Sequence, residues 1–313
     1  MTSAIDPNII VVGSPVSKSA MKTQLTTAAS EITELQNRPG RRNRIINGDM
    51  RIDQRNAGAS QSISTASAYT VDRWAVAPTG ASVTGQRVAG SSGYQYAYRV
   101  TGAASVTGIV FQQRIESANT ADLVNQNVTL SAVISNSLLT TVSWTAYSAN
   151  TVDNFSAQTL IASGSFTVTS TATQYTATFN AGANAANGIA IAFSVGAQIS
   201  GTWTTTGVQL EPGSVASVFE RLSIGETLML CQRYYETGQN VICIGGGTQG
   251  TLTDVKVFSG FRVTKRVAPT MTFGYSAPIV VSTGTSGVDG TTVYYTAGNS
   301  NNFNATFYAT AEL

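Results

Sequence analysis

The stretch from Gly201 to Glu236, GTWTTTGVQLEPGSVASVFERLSIGETLMLCQRYYE, changes character repeatedly. A Thr- and Val-rich run ending in Val208-Gln209-Leu210-Glu211 has the residue types of a β-strand. Pro212-Gly213 reads as a turn, because Pro presets one backbone angle and Gly tolerates the other. A short apolar segment then ends in Phe219-Glu220. Beyond it, residues 221–237 read as a connector. Leu222, Glu226, Leu228, Met229, Cys231 and Arg233 permit one or two helical turns, ending in Cys231-Gln232-Arg233-Tyr234-Tyr235.

Upstream, residues 45–220 alternate with the period of strands. Tyr96, Tyr98 and Val100 share one face, as do Val128, Leu130, Ala132 and Ile134. Val142, Trp144 and Ala146 follow the same pattern, as do Ile189, Ile191, Phe193 and Val195. Gly- and Asn-rich breaks such as Asn125-Gln126-Asn127 and Asn180-Ala181-Gly182 separate them. Short alternating strands with regular turns predict a β-sandwich, a jelly roll over 41–220.

Two further segments accompany the first: Asn43-Arg44-Ile45-Ile46-Asn47-Gly48-Asp49-Met50-Arg51-Ile52-Asp53-Gln54-Arg55, and Tyr69-Thr70-Val71-Asp72-Arg73-Trp74. In this order and spacing the three bracket residues 43–236. Together they resemble the β-sandwich domain of bacteriophage tail fibres and related virion structural proteins. The resemblance implies a jelly roll akin to carbohydrate-binding modules.

Composition agrees with such a protein. Hydrophobic residues make up 42% and charged residues only 11%, a balance that suits a β-rich extracellular or virion protein better than a cytosolic enzyme. The net charge of +2 argues against nucleic-acid or membrane binding through bulk charge. There is no His, which removes the commonest general acid–base and the commonest metal ligand. Cys231 and Cys243 form no metal-binding spacing and read as buried free thiols. No secretory signal and no run long enough for a membrane span are visible.

At the N-terminus, Asn8 to Val12 reads either as a first strand of the sandwich or as a strand that docks on another virion protein. Residues 14–37 predict the one long helix, with Ser14 as N-cap and Pro15 at its first position. Met21, Leu25, Ala28, Ile32 and Leu35 recur at alternating spacings of four and three, the seam of a coiled coil. The stripe must bury against something, because a helix of this length is marginal alone in water. A parallel trimer and packing on the same chain's sandwich both satisfy it. Arg38, Arg41, Arg42 and Arg44 cluster after the helix. With no interleaved aromatic, they read as charges facing solvent or pairing with acids rather than as a nucleic-acid site.

Residues 238–313 alternate as a smaller β domain. Met271, Phe273 and Tyr275, then Val293 and Tyr295, then Phe303, Ala305 and Phe307 carry the pattern. The expected architecture is therefore mainly β: an N-terminal arm and helix (1–40), a jelly-roll β-sandwich (41–220), a helical connector (221–237) and a C-terminal β domain (238–313) forming the tip.

The acidic candidates for glycan hydrolysis are Asp49, Asp53, Asp72, Glu211 and Glu220. Lying within or beside the shared motifs, they read as caps and ion-pair partners, so no catalytic residue is assigned. No metal site and no cofactor are expected; Asp153-Asn154 and Asp289 lack calcium-loop spacing. Of the three tryptophans, Trp74 and Trp144 read as core, and Trp203, among Gly and Thr, as the exposed sugar-stacking candidate. At the tip, Tyr294, Tyr295, Asn299, Asn301 and Asn302 lie at an Asn-rich loop, 298–304, expected to close a hairpin. The resemblance implies a tail fibre or receptor-binding protein; the helix seam and the thin C-terminal core predict a homotrimer, and the composition fits a virion component assembled in the host cytoplasm. Residues 1–37 would join it to other virion proteins, and the tip would bind a host-surface glycan. A structural virion protein (head fibre, capsid decoration or baseplate component) and a polysaccharide-degrading spike are the alternatives.

Overall fold

The computed structural model describes residues 17–36, 41–243, 252–275, 279–297 and 302–313. Within the N-terminal helix and the C-terminal strands, side chains are described only in part. The chain begins with helix α1 (Lys18–Gln36). Twelve strands follow: β1 (Gln61–Ile63), β2 (Ala68–Tyr69), β3 (Ala75–Thr79), β4 (Val83–Ala89), β5 (Tyr96–Thr101), β6 (Gly108–Ile115), β7 (Asn127–Asn136), β8 (Thr141–Thr151), β9 (Asn154–Thr167), β10 (Thr173–Asn180), β11 (Ile189–Val195) and β12 (Thr202–Pro212). Helix α2 (Ile224–Gln232) leads into β13 (Tyr235–Cys243), β14 (Leu252–Gly260), β15 (Thr270–Tyr275), β16 (Ile279–Ser286), β17 (Gly290–Ala297) and β18 (Asn302–Thr310).

Two six-stranded antiparallel sheets form the sandwich. Their orders are β1-β4-β5-β12-β7-β10 and β2-β3-β6-β11-β8-β9. From β5 to β8, and again from β9 to β12, each strand lies in the sheet opposite its predecessor, the crossing pattern of a jelly roll. The alternating residues meet where the period places them. Val128, Leu130, Ala132 and Ile134 of β7 face Ile189, Ile191 and Phe193 of β11 within one buried cluster. Aromatic rings fill its centre: Trp74 stacks on Phe111 at 4.5 Å, and Trp203 meets Phe111 edge-on at 6.1 Å. Trp203 is therefore not the exposed residue its polar neighbours suggest. It is 1% exposed and points into the core.

The segment 43–55 threads along the sandwich without forming a strand, so its backbone groups pair with side chains instead. The Gln113 amide donates to Ile46 O and accepts from Ile46 N, both at 2.8 Å, taking the place of a neighbouring strand. Asn47, at φ 56, donates to Ile52 O and Asp72 O and accepts from Ile52 N. Gly48 lies so close to β12 that a Cβ would sit 2.0 Å from Val208 O.

Helix α2 starts with a capping box, in which Ser223 Oγ accepts from Glu226 N and Glu226 Oε2 accepts from Ser223 N. Cys231 is a free thiol buried with Tyr234 against Ile46 and Ile52. The remaining strands form two three-stranded sheets, β13-β18-β15 and β14-β17-β16. This corrects one expectation at the tip. β17 and β18 are the central strands of different sheets, so they do not pair as the hairpin expected around 298–304 would require; residues 298–301 lie outside the described residues.

In α1 the cap is supplied by Ser17, whose Oγ accepts from Ala20 N at 3.1 Å. Ser14 and Pro15 lie outside the described residues, as does the strand expected over 8–12. Met21 and Leu25 are 51% and 66% exposed, and Ala28 is half-buried. The side chains of Ile32 and Leu35 are outside the description.

Candidate functional site

The outer face of the first sheet carries a groove built by a chain reversal. After β12 the chain turns at Pro212-Gly213 and folds back across the outward side of the strand it has just left. Two outward side chains of β12 hold it there. Glu211 accepts from Ser217 N at 2.7 Å and from Ser217 Oγ, while Gln209 Oε1 accepts from Glu220 N at 2.8 Å. Gln209 Nε2 also donates to Glu211 Oε1. From the other side, Glu220 accepts from Asn43 N at 2.7 Å, and Arg42 donates to Val218 O at 2.7 Å. Buried polar groups of this kind require partners, and each of these finds one in the returning segment.

The reversal leaves an open groove of about 470 Å³ between itself and β10. Gln174 and Thr176 of β10 form one wall. Val218, Phe219 and Arg221 form the other, and Ser92 and Tyr94 of the β4–β5 loop close the end. Phe219 meets the Tyr94 ring edge-on at 5.3 Å, and the Arg221 guanidinium lies over the same ring at 4.9 Å. Arg221 Nη2 also donates to Gly93 O at 2.7 Å, tying the loop down. Beneath the ring sits Gly207, at φ 59, where a Cβ would fall 2.4 Å from Tyr94 Cζ. Burial raises the Tyr94 hydroxyl pKa, and the Asp49 charge adds to this against the opposing pull of Arg221, so at neutral pH the hydroxyl keeps its proton and can donate it. An aromatic ring beside an amide, two hydroxyl side chains and a guanidinium is the chemistry that holds a sugar: a face to stack on and groups to bond its hydroxyls.

The residues named from sequence fall elsewhere. Trp203 is in the core. Tyr294 and Tyr295 lie in β17, and Asn302 opens β18; their side chains are outside the description, and Asn299 and Asn301 lie outside the described residues altogether. Tyr94, Gln174, Thr176, Phe219 and Arg221 were missed. The signal for Tyr94 was its place after a Gly90-Ser91-Ser92-Gly93 turn, an aromatic residue at a loop tip.

The five acidic candidates are occupied in structure. Asp49 pairs with Arg51 at 2.7 Å, and Asp53 accepts from Asn56 N and Gly58 N with Arg87 at 3.8 Å. Asp72 accepts from the backbone and side chain of Gln54, with Arg55 at 3.8 Å. Glu211 pairs with Arg42 at 3.2 Å. Arg44 pairs with Asp122, so Arg42 and Arg44 meet acids of their own chain. Asp153 caps the turn at Ser117, and Asp289 accepts from Thr264 Oγ1. Among the described residues no three His, Cys, Asp or Glu side chains gather as a metal site would need. No helix among them is long and apolar enough to cross a membrane.

A second cluster of charge joins the sandwich to the last strands. Glu312 pairs with Arg73 and Arg55, and Arg73 Nη2 donates to Arg114 O. Arg73 and Arg55 lie over the rings of Tyr234 and Tyr235 at 3.5 and 3.7 Å. Glu116 receives both Arg233 Nε and Nη2 at 3.1 Å and the Tyr234 hydroxyl at 2.8 Å. The Leu313 backbone oxygen accepts from Tyr69 and Arg114. The carboxylates of this cluster are each held by arginines, so it reads as a fastening rather than a binding site.

No protein-family model matches the sequence, and no curated protein sequence matches it. Among solved structures, the chain is similar to the enzymatically active domain of tailspike protein 4 of bacteriophage CBA120, at 17% identity over 45% of this chain and 19% of that one, with a TM-score of 0.35. This chain thus spans less than a fifth of that domain's length. It is also similar to the family 11 carbohydrate-binding module of Clostridium thermocellum in complex with a mixed-linked tetrasaccharide, at 13% identity over 52% of this chain and 100% of that one, TM-score 0.35. A third is TmCBM61 in complex with β-1,4-galactotriose, at 13% identity over 45% and 88%, TM-score 0.32.

Proposed function

We propose that this chain is a glycan-binding protein and that its site is the groove at Tyr94. The observation that carries this is the groove itself: a half-buried aromatic ring flanked by Gln174, Thr176 and Arg221, held by a chain reversal on the open face of the sandwich. The finer proposal is a homotrimeric tail fibre or receptor-binding protein of a phage virion. The three motifs within 43–236 and the α1 seam support it, with residues 1–37 joining other virion proteins. Three weak sites acting together would give useful attachment through effective concentration. Binding without hydrolysis is favoured because the five acidic candidates are engaged in ion pairs and caps.

The test is a screen of the purified chain against surface oligosaccharides, repeated with Tyr94→Ala. Binding by the wild type, weakened about tenfold or more in the variant, is expected for loss of a stacking ring. Equal binding by both would place the site elsewhere.

One observation favours the structural virion protein as a second reading. Between Leu123 and Leu210 the sequence holds a single charged residue, Asp153, although β9 is a sheet edge and Leu160 on it is exposed. Soluble proteins usually protect such an edge with charge, so a neutral one fits burial in an assembly. A chain that enters particles yet binds no glycan would favour this reading.

A further inference from the structure

Resting on the assignment of the groove to glycan, we propose that its ligand is an acidic glycan, one bearing a carboxylate or phosphate that Arg221 receives. Among the described residues most arginines near the motifs already hold a carboxylate: Arg42, Arg44, Arg51, Arg55, Arg73, Arg87 and Arg233 each have one within 4.0 Å. Arg221 has none. Among the described residues its hydrogen bond is to Gly93 O, which uses one of the five donors of a guanidinium. The rest of its hold is on ring faces, Tyr94 at 4.9 Å and Phe219 at 5.8 Å. Those contacts keep the group beside the rings without using its remaining N–H bonds.

No acidic side chain lines the groove; apart from Arg221, its lining residues are neutral. The acid whose field reaches Tyr94 and Arg221, Asp49, is paired with Arg51 at 2.7 Å. Arg221 is itself exposed, so a ligand reaches it without displacing an ion pair. A planar fork with free donors beside a stacking ring matches an acidic sugar at two points: the ring against Tyr94 and the anion against Arg221. A neutral sugar would offer Arg221 hydroxyls alone, without a charge to pair.

The experiment uses the full chain and a panel of oligosaccharides. Each acidic member is paired with its neutral counterpart, the methyl ester for carboxylated sugars and the dephosphorylated form for phosphorylated ones. Roughly tenfold tighter binding of acid over counterpart is expected, shrinking as salt is raised from about 0.05 to 0.5 M. Which acid shows the preference distinguishes carboxylate from phosphate. Arg221→Gln should erase the preference, weakening the acidic member of each pair more than its neutral counterpart, and Arg221→Lys should keep part of it. Tyr94→Ala should weaken both acidic and neutral ligands. Equal binding of acid and counterpart would overturn the inference and leave the glycan assignment standing. Binding of no glycan at all would overturn both. The paired-ligand comparison needs only the wild type, so it decides the matter even where Arg221→Gln does not fold.

Discussion

At the residue scale, Asp72 shows how the motif acids are used. It is fully buried, yet it accepts two hydrogen bonds from Gln54 and has Arg55 at 3.8 Å. Burial outweighs these partners and lifts its pKa from 3.8 to about 6. The sign follows from proton binding. Between pH 4 and 6 the folded chain holds a proton on Asp72 that the unfolded chain has lost, so stability falls as pH rises through that window and levels off above it. Asp49, also raised by burial, acts in the same direction. Stability measured by urea unfolding should therefore rise on mild acidification from pH 7 toward 5, by about 1.4 kcal/mol at most from Asp72. Asp72→Asn should flatten that slope; an unchanged slope would show that Asp72 is not its source. Gly207 is a second decisive residue. Gly207→Ala places a Cβ where the Tyr94 ring lies and forces a positive φ on alanine. The expected cost is about 1–2 kcal/mol, with glycan binding lost as the ring is displaced. Full binding would show that the ring's position does not matter.

At the element scale, the strands were legible where burial has two sides. Val128 to Ile134, Val142 to Ala146 and Ile189 to Val195 alternate because one sheet face packs on the other. Trp203 was misread for a physical reason. Along β12 the inward residues are Trp203 and Thr205, then Val208 and Leu210, because the register shifts between Thr206 and Gln209. A bulge changes the parity, and the sequence around Trp203 shows only polar neighbours. The groove was not legible at all. Tyr94, Gln174 and Arg221 are far apart in the chain and meet only because the segment after β12 folds back over its own sheet. The Asn-rich segment at 298–304 looked like a hairpin because strand-like runs flank it, but pairing partners are not written in either run.

Helix α1 gives the prediction that belongs to this scale. Met21 and Leu25 are exposed on a seam of 3.5-residue period. Sedimentation of the purified chain should give three subunits, and replacing Leu25 and Ile32 with Asp should dissociate the N-terminal region. A stable monomer at micromolar concentration would contradict a helical trimer.

At the scale of the whole molecule, the sandwich and the last strands are tied by charge as much as by apolar contact. Arg73 is buried, and Glu312 is its carboxylate partner, with Arg55 sharing it. Removing one side of a buried pair leaves the other uncompensated, at a cost of about 3–5 kcal/mol. Glu312→Gln should therefore raise hydrogen exchange at the junction of β13 and β18 with the sandwich before it affects the core of β7 and β11. Uniform loss of protection would mean that the two parts unfold together. The helix seam, the neutral edge and the groove lie on different parts of the chain, so the proposed assembly and recognition are open to separate tests.

The most direct test of the central claim is a crystal structure of the chain with a glycan selected from the screen. A sugar ring stacked on Tyr94 is expected, with hydroxyls bonded to Gln174 and Thr176 and an anionic group at Arg221. A glycan held elsewhere, at the strands flanking 298–301 or at any other surface, with the groove at Tyr94 unoccupied, would contradict it.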